Sequence, residues 1–303
     1  MYEPYCFLTL QNQYKKPMNH NFAIIMAGGL GSRFWPTSTS HKPKQFLDVL
    51  NTGETLLQQT FRRVSLTIPK KNILIVTKSD YLNFCLDQLP EINKENIICE
   101  PLRRNTAPCI ALAAFKLKKI DPLANFIVTP ADHLVTNESE FNRIIQLGLS
   151  VTAEKNILLT LGISPNKPET GYGYIQFKKK ENSFNTEIKA VKTFTEKPEL
   201  ELAKSFLETG EFLWNSGIFI WNANSILSAF EKHMPEMYSL FEDGWGDINS
   251  DNEKAFLETI YPHCPNESID YGILEKSSQV YVLKSDFGWS DLGSWGAIYS
   301  DQK

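Results

Sequence analysis

Short apolar runs alternate with longer amphipathic runs through the first half of the sequence. The short runs have the length of buried strands, and they are Phe22–Ala27, Ile73–Thr77, Ile97–Cys99, Phe126–Thr129 and Ile157–Leu161. The longer runs have helical spacing, and they are Thr55–Val64, Asp80–Leu89, Thr106–Ile120 and Glu138–Ala153. Because alternating strands and helices build a mostly parallel sheet with helices on both faces, this pattern predicts an α/β, Rossmann-like fold. Ligands of such sheets bind at the carboxyl ends of the strands.

The pattern changes beyond Ser164. Three further strands are predicted, at Glu169–Phe177, Ala190–Pro198 and Phe212–Trp221. Helices are predicted near Glu199–Leu207, in Ala223–Phe241 and in Asp251–Ile260. Since no internal repeat, low-complexity tract or linker interrupts the sequence, we expect this half to continue one mixed central sheet. We expect residues 1–20 to form a loose N-terminal extension.

The charge and the cysteines restrict the class of partner. The formal net charge is −4, which argues against a nucleic-acid surface because such surfaces are usually strongly basic. The five cysteines form no C-x-x-C pair and no cluster with zinc spacing, as is typical of reduced thiols in a cytoplasmic protein. No apolar run approaches the ~20 residues that span a bilayer, and the first residues lack the pattern of a signal peptide. We therefore expect no nucleic-acid or membrane partner.

A glycine-rich loop, "AGGLGSR", follows the first predicted strand. Its glycines Gly28, Gly29 and Gly31 allow backbone N–H groups to turn toward a bound anion. The loop lacks the Gly-Lys-Ser/Thr ending of a Walker A motif, and Phe34 stands where a dinucleotide fingerprint needs its third glycine. Taken alone, the loop is compatible with an anion site and with a purely structural tight turn.

Two cations follow the loop. Arg33 comes directly after it, and Lys44 lies in "KPKQF". Arginine offers a planar fork to phosphate oxygens, and lysine offers a compact charge. Solvated surface charge is the alternative for both residues, but the stiffening prolines Pro36 and Pro43 favour a positioned pair.

The combined motif G-G-x-G-x-R-x-x-P…P-K-Q-F resembles the signature of the sugar-nucleotide pyrophosphorylases, and its "RFWP…PKQF" version is similar to that of the mannose-1-phosphate guanylyltransferases. The resemblance implies a fold of the nucleotide-diphospho-sugar transferase type and a nucleotide triphosphate as the anion. It implies that Lys44 contacts the phosphate under attack and that Arg33 contacts the departing phosphates. The implied nucleotide-binding loop comprises Ala27, Gly28, Gly29, Gly31, Ser32 and Arg33.

The segment "EPLRRNTAP" resembles the base-recognition segment of the same family. Guanine presents two adjacent donors, N1–H and N2–H, and one carboxylate can accept both hydrogen bonds. Glu100 is the candidate, and a surface acid before a proline is the alternative interpretation. The resemblance adds Asn105 and Thr106 to the nucleotide site, although both could equally cap the next helix.

Two aspartates are implied to face a metal. Asp132 comes just after a predicted buried strand, in "FIVTPADHLV", and Asp291 lies in "DFGWSDLGSW". Magnesium prefers one or two carboxylates together with phosphate oxygens and water, so the resemblance implies a shared Mg²⁺ site at Asp132 and Asp291. For His133 we favour a structural hydrogen bond over a role in catalysis.

The motifs "GYGYIQF", "FTEKP" and "WNSG" resemble the sugar-phosphate site of the family. By this resemblance, Gly173 allows close approach of the sugar, Glu196 and Asn215 bond its hydroxyls, and Lys197 holds its phosphate. Asp291 also belongs to this predicted site. The role of Asp270, in "SIDYGILEK", stays open between a ligand contact and a helix N-terminus.

The implied reaction joins mannose 1-phosphate and GTP to give GDP-mannose and pyrophosphate. The alternatives are another sugar 1-phosphate or base, and a non-catalytic sensor of nucleotide sugars. A nicotinamide-dependent dehydrogenase is disfavoured by Phe34.

The implied organisation is one nucleotidyltransferase domain over residues 21–303, with a nucleotide-binding half at 21–163 and a sugar-phosphate half at 164–303. Relatives usually continue into a β-helix or an isomerase domain, which we expect this chain to lack. The resemblance allows a homodimer.

Overall fold

The computed structural model describes residues 20–29, 38–39, 41–179 and 187–293. Its strands are β1 (Asn21–Met26), β2 (Ile73–Lys78), β3 (Ile97–Glu100), β4 (Asn125–Pro130), β5 (Leu134–Val135), β6 (Leu158–Ile163), β7 (Tyr174–Phe177), β8 (Ile188–Thr195), β9 (Phe212–Asn222), β10 (Val280–Ser285) and β11 (Trp289–Ser290). Its α-helices are α1 (Leu56–Ser65), α2 (Leu82–Gln88), α3 (Thr106–Ile120), α4 (Glu138–Glu154), α5 (Leu200–Thr209), α6 (Ala223–His233), α7 (Pro235–Asp243) and α8 (Glu253–Ile260).

Nine of these strands form one mixed sheet in the order β3-β2-β1-β4-β9-β6-β10-β8-β7. The strands β3, β2, β1 and β4 are parallel, as the alternation of strands and helices predicts. Strand β9 then pairs antiparallel with both β4 and β6. Strands from both halves of the sequence therefore share one central sheet, and the predicted mixed α/β architecture is confirmed.

Strand β1 explains why the apolar runs are continuous. Its alternate side chains point to opposite faces of the sheet. Phe22 and Ile24 pack into a core with α3, α6 and α7, whereas Ala23 and Ile25 pack into a second core with α1, α2 and α4. A strand that is buried on both faces has no polar side to alternate with its apolar one.

Two predictions for the second half need correction. The helix predicted over Ala223–Phe241 is two helices, because Pro235 has no N–H to donate and instead begins α7. Strand β10 was not predicted, although it lies beside β6 and β8 in the sheet. None of the α-helices in the described ranges is long and apolar enough to cross a membrane.

A separate two-stranded ribbon joins distant parts of the sequence. Strands β5 and β11 pair antiparallel, with Trp289 opposite Val135 and Ser290 opposite Leu134. Strand β5 follows closely after β4, and Asp291 directly follows β11. The ribbon therefore brings the segment of Asp291 to the carboxyl end of β4, where Asp132 lies.

Candidate active site

Lys44 lies at the centre of the candidate site. It begins a single turn of 3-10 helix, Lys44–Phe46, directly after Pro43. Its side chain is buried, with the residue 3% exposed. The Nζ atom donates to the main-chain oxygen of Asp291 over 2.6 Å and lies 3.3 Å from Oδ2 of Asp132. Lys44, Asp132 and Asp291 are therefore brought together at the carboxyl edge of the sheet.

The surroundings of Asp132 favour its ionised form. Burial by itself would raise the pKa of this carboxyl, but the charge of Lys44, the neighbouring His133 and the hydrogen bonds to the carboxylate together outweigh that effect and leave the pKa below its ordinary value. Burial lowers the pKa of the neighbouring His133, which favours the neutral form of its imidazole. Nε1 of Trp289 donates to Nδ1 of His133 over 3.1 Å. This contact is the structural hydrogen bond that the sequence led us to favour.

The carboxylate of Asp291 is held by two donors. The hydroxyl of Tyr172 donates to Oδ1 over 2.7 Å, and the N–H of Gly293 donates to the same atom over 2.8 Å. Burial and the charge of Asp291 both raise the pKa of Tyr172, so its hydroxyl keeps its proton. The orientation of Asp291 therefore depends on a tyrosine that the sequence analysis did not single out.

These two aspartates fit a magnesium site of the kind that shares its ion with a substrate. Within the described ranges, no group of three or more His, Cys, Asp or Glu side chains is placed to hold a metal. Magnesium commonly binds proteins through only one or two carboxylates and takes its other ligands from phosphates and water. The donor set at Asp132 and Asp291 matches that preference.

The glycine loop begins immediately after β1. The N–H of Ala27 donates to Val76 O over 2.7 Å, and its carbonyl accepts from Oγ1 of Thr77 over 2.9 Å. The side chain of Gln45 donates from Nε2 to Ala27 O over 2.8 Å and to Gly29 O over 3.0 Å. Gln45 thus supports the loop directly, and only its place in "PKQF" could have indicated this role. The predictions for Gly31, Ser32 and Arg33 lie outside the described residues.

Glu100 faces this loop. It ends β3, and a Cβ atom added to Gly28 would lie 3.8 Å from its Oε2 atom. The hydroxyl of Tyr261 donates to Oε1 of Glu100 over 3.2 Å. The residue is 8% exposed, and burial raises its pKa to about 8 even though Tyr261 acts in the opposite direction. The alternative interpretation of Glu100 as a surface acid is therefore wrong.

Asn105 and Thr106 form the start of α3. Oδ1 of Asn105 accepts from the N–H of Thr106 over 2.9 Å, and Asn105 is the N-cap residue. Oγ1 of Thr106 accepts from the N–H of Ile269 over 2.9 Å. Both residues thus have a structural function at this helix end, and their contact with a nucleotide stays a prediction.

The predicted sugar-phosphate residues also lie together. Lys197 pairs with the carboxylate of Glu196, and its backbone has a φ of 47°. A Cβ atom on Gly173 would collide with Oε2 of Glu196. The main-chain N–H of Asn215 donates to Gly173 O over 2.8 Å. Glycine at position 173 therefore leaves room for the carboxylate in this position.

Asp270 lies in the same cluster and also begins the π-helical turn Asp270–Leu274, so its contact with a ligand stays a prediction. Nδ2 of Asn215 donates to Oδ1 of Asp270 over 2.9 Å, while Oδ1 of Asn215 accepts from Oγ1 of Thr160 over 3.0 Å. Burial, reinforced by the nearby charge of Glu196, raises the pKa of Asp270 to about 6. Asn215 therefore holds a second carboxylate beside Glu196.

Tyr172 connects the two parts of the site. Its hydroxyl bonds the carboxylate of Asp291, and its main-chain oxygen accepts from the N–H of Lys197 over 3.2 Å. Its ring contacts those of Trp214 and Trp289, with centroid distances of 5.2 and 5.1 Å. The aspartate pair and the predicted sugar-phosphate cluster are thus neighbouring parts of one surface.

Comparisons with known proteins agree with this arrangement. The signature of the nucleotidyl transferase family matches residues 22–303. A putative mannose-1-phosphate guanylyltransferase of Vibrio cholerae is 38% identical over 91% of this chain. A mannose-1-phosphate guanylyltransferase of Escherichia coli K12 is 37% identical over 92% of it. The chain spans 59% of the length of each of these two relatives.

A solved structure supports the same relationship. A crystal structure described as mannose-1-phosphate geranyltransferase, from Thermus thermophilus, superposes with a TM-score of 0.82 at 30% identity. The match covers 93% of this chain and 80% of that one. The expected nucleotide-diphospho-sugar transferase type of fold is confirmed by this likeness. On its sequence, its fold and these similarities, the chain belongs to the nucleotidyl transferase family.

Proposed function

We propose that this chain joins mannose 1-phosphate to GTP and releases GDP-mannose and pyrophosphate. One observation carries the proposal: a buried lysine, Lys44, contacts both Asp132 and Asp291 beside the glycine loop. That arrangement suits a reaction between two phosphate-bearing substrates, because it combines a fixed cation with carboxylates that can hold a bridging metal.

The chemistry requires little from the protein except positioning and charge. A phosphate oxygen of the sugar phosphate attacks the α-phosphorus of GTP, and the bond from that phosphorus to the bridging oxygen of the β-phosphate breaks. The attacking phosphate is already ionised at neutral pH, so neither a protein nucleophile nor a strong base is needed. The main obstacle is repulsion between two polyanions, which preorganised cations reduce.

Three cations of the protein reduce this repulsion. Lys44 contacts the α-phosphate under attack, and Arg33 contacts the departing β- and γ-phosphates. Lys197, which is paired with Glu196 at the sugar-phosphate side, holds the attacking phosphate. Asp132 and Asp291 would hold a magnesium ion, which when bound neutralises phosphate charge.

Glu100 provides the base specificity in this proposal. Its carboxylate accepts from N1–H and N2–H of guanine, a pair of donors that uracil and thymine do not offer. The buried position beside Gly28 strengthens such bonds. Because the pKa of Glu100 is about 8 in the protein without nucleotide, guanine binding at pH 7 should release a proton.

The two carboxylates of Glu196 and Asp270 recognise the sugar. Each accepts from ring hydroxyls, and Asn215 orients Asp270 through its Nδ2 atom. Lys197 partly neutralises the pair. Gly173 leaves the space that this arrangement needs.

A substrate panel tests the proposal. Each of GTP, ITP, ATP, UTP and dTTP is combined with mannose or glucose 1-phosphate and Mg²⁺, and pyrophosphate release is measured. We expect GTP with mannose 1-phosphate to be fastest, and ITP, which lacks the N2 amino group, to be roughly tenfold or more weaker because one bond to a charged acceptor is lost. A different preferred pair would replace the proposed substrates, and binding without turnover would favour a sensor.

We also propose a cytoplasmic location, because Cys85, Cys99, Cys109 and Cys264 are all free thiols among the described residues. The homodimer stays a prediction that light scattering of the purified protein can test.

A further inference from the structure

We infer that Gln45 is a positioning residue that turns the first residues of the glycine loop, Ala27 to Gly29, toward the phosphates of the nucleotide. The inference deepens the proposed function and rests on it for the identity of the ligand. Gln45 lies in the motif "PKQF", directly after Lys44, and it has no catalytic or binding role in the proposed reaction.

The contacts of Gln45 are specific to the loop. The residue is 2% exposed, and its Nε2 atom donates to two carbonyl oxygens, Ala27 O over 2.8 Å and Gly29 O over 3.0 Å. A carboxamide nitrogen has two hydrogens, so both are used on the loop. The two acceptors are two residues apart, and both carbonyls therefore point to the same side of the loop.

Peptide geometry then determines where the other side points. The peptide bond is planar and trans, so the N–H of a peptide unit is directed opposite to its C=O. Because Ala27 O points to Gln45 and to Thr77, the N–H of Gly28 points away from both. Among the described residues, no acceptor is recorded for this N–H. It is available to an anion on the face of the loop opposite Gln45.

The turn that carries Gln45 also carries Lys44. One residue of the 3-10 turn bonds the glycine loop, and its neighbour contacts Asp132 and Asp291. The turn therefore sets the distance between the N–H of Gly28 and the ammonium of Lys44. The phosphates of one nucleotide must bridge this distance. A side chain of the same size without N–H donors would fill the space but would not fix this distance.

Gln88 provides a matched control. Its Nε2 atom donates to the main-chain oxygen of Phe46 over 3.1 Å, so it supports the same turn from another side. Among the residues that the structure describes, its hydrogen bonds join Thr55, Gln58 and Phe46 and do not reach the glycine loop. Comparison of Gln45→Leu with Gln88→Leu therefore separates orientation of the loop from general support of the turn.

The experiment measures binding of inorganic tripolyphosphate with Mg²⁺ by titration calorimetry, followed by the KM values of both substrates. We expect Gln45→Leu to weaken tripolyphosphate binding by roughly tenfold, since two hydrogen bonds that orient the loop are lost. The KM for GTP should rise in parallel, while the KM for the sugar phosphate stays within about twofold. Gln45→Glu should bind more weakly still, because an ionised carboxylate has no hydrogen to donate and would be repelled by the two carbonyl oxygens that it faces.

The outcomes are distinct. The inference is overturned if Gln45→Leu binds tripolyphosphate as the parent does, if Gln88→Leu loses as much affinity, or if the parent protein does not bind tripolyphosphate at all. A circular-dichroism spectrum and a thermal melt confirm that each variant is folded. Failure of the proposed function would instead appear as tripolyphosphate binding that depends on Gln45 without pyrophosphate release from GTP.

Discussion

Lys44 and Asp291, 247 residues apart in the sequence, are joined by a hydrogen bond of 2.6 Å from the ammonium to the main-chain oxygen. The bond uses the backbone of Asp291, so the carboxylate of that residue remains directed to Tyr172 and Gly293. Lys44 thus holds the end of the ribbon beside Asp132 through the main chain of Asp291, and this bond does not involve the Asp291 carboxylate.

Replacement of Lys44 by alanine should reduce turnover by more than ~100-fold, the range observed when one preorganised electrostatic group is lost from an active site. Steady-state pyrophosphate release measures the effect. Lys42→Ala, which removes an exposed lysine two residues away, should leave the rate within about twofold. Near-normal turnover of Lys44→Ala would remove this residue from the mechanism.

Asp132→Asn should weaken magnesium binding, because an amide oxygen carries no net charge to attract a divalent cation. We expect the Mg²⁺ concentration for half-maximal activity to rise by at least tenfold, and calorimetric titration of Mg²⁺ with GTP present to show a matching loss. Asp286→Asn alters an exposed aspartate near the ribbon and serves as the control. An unchanged magnesium titration for Asp132→Asn would contradict the metal assignment.

Glu100 should make the protein less stable as the pH rises. Its pKa is raised from 4.5 in the unfolded chain to about 8 in the fold, so the folded state holds the extra proton between these values. The stabilising contribution is complete below pH 4.5 and is lost as the pH rises through 8, on the order of 1 kcal/mol per pH unit.

Urea denaturation between pH 5 and 8.5 tests this expectation against Glu100→Gln, which has no proton to lose. The free energy of unfolding of the parent protein should fall relative to that of the variant as the pH increases. Parallel pH profiles of the two proteins would mean that Glu100 titrates near its ordinary value.

Gly173→Ala should impair sugar-phosphate binding selectively. The new methyl group would displace the Glu196 carboxylate, whose flexible side chain can move at little cost in stability. We expect the KM for the sugar phosphate to rise by roughly tenfold, which corresponds to the loss of one good hydrogen bond to a charged group, with the KM for GTP nearly unchanged. Gly171→Ala, in which the added Cβ would lie 3.3 Å from Oε1 of Glu169, is the control. An equal rise in both KM values would indicate general distortion instead.

The sequence predicted strands and helices best where the whole element is buried. The predicted strand Phe22–Ala27 is within one residue of β1, and Thr106–Ile120 coincides with α3, because strands buried on two faces and long apolar helices leave clear local patterns. Strand β10 was missed although "VYVL" is rich in β-branched and aromatic residues and is flanked by serines and an aspartate that are typical of turns. The ribbon strands have two residues each, too few for any periodicity.

In the candidate site, local motifs indicated some residues, whereas others could not be found without the tertiary structure. Lys44, Glu100 and Asp132 were identified through motifs that resemble those of a known family. Gln45 and Tyr172 were missed because their importance lies in hydrogen bonds to residues 18 and 119 positions away. Such contacts depend on tertiary packing, and neither residue type by itself indicates a binding site.

The ribbon of β5 and β11 has a consequence for the order of events on the ribosome. Domains are synthesised from the N-terminal end, and early segments can fold before later ones emerge. The parallel strands β1 to β4 and the glycine loop are complete long before Trp289 and Ser290 can pair with β5. The segments that carry Lys44 and Asp132 would therefore be synthesised well before the segment that carries Asp291, and the bond from Lys44 to Asp291 could form only after β11 has been made.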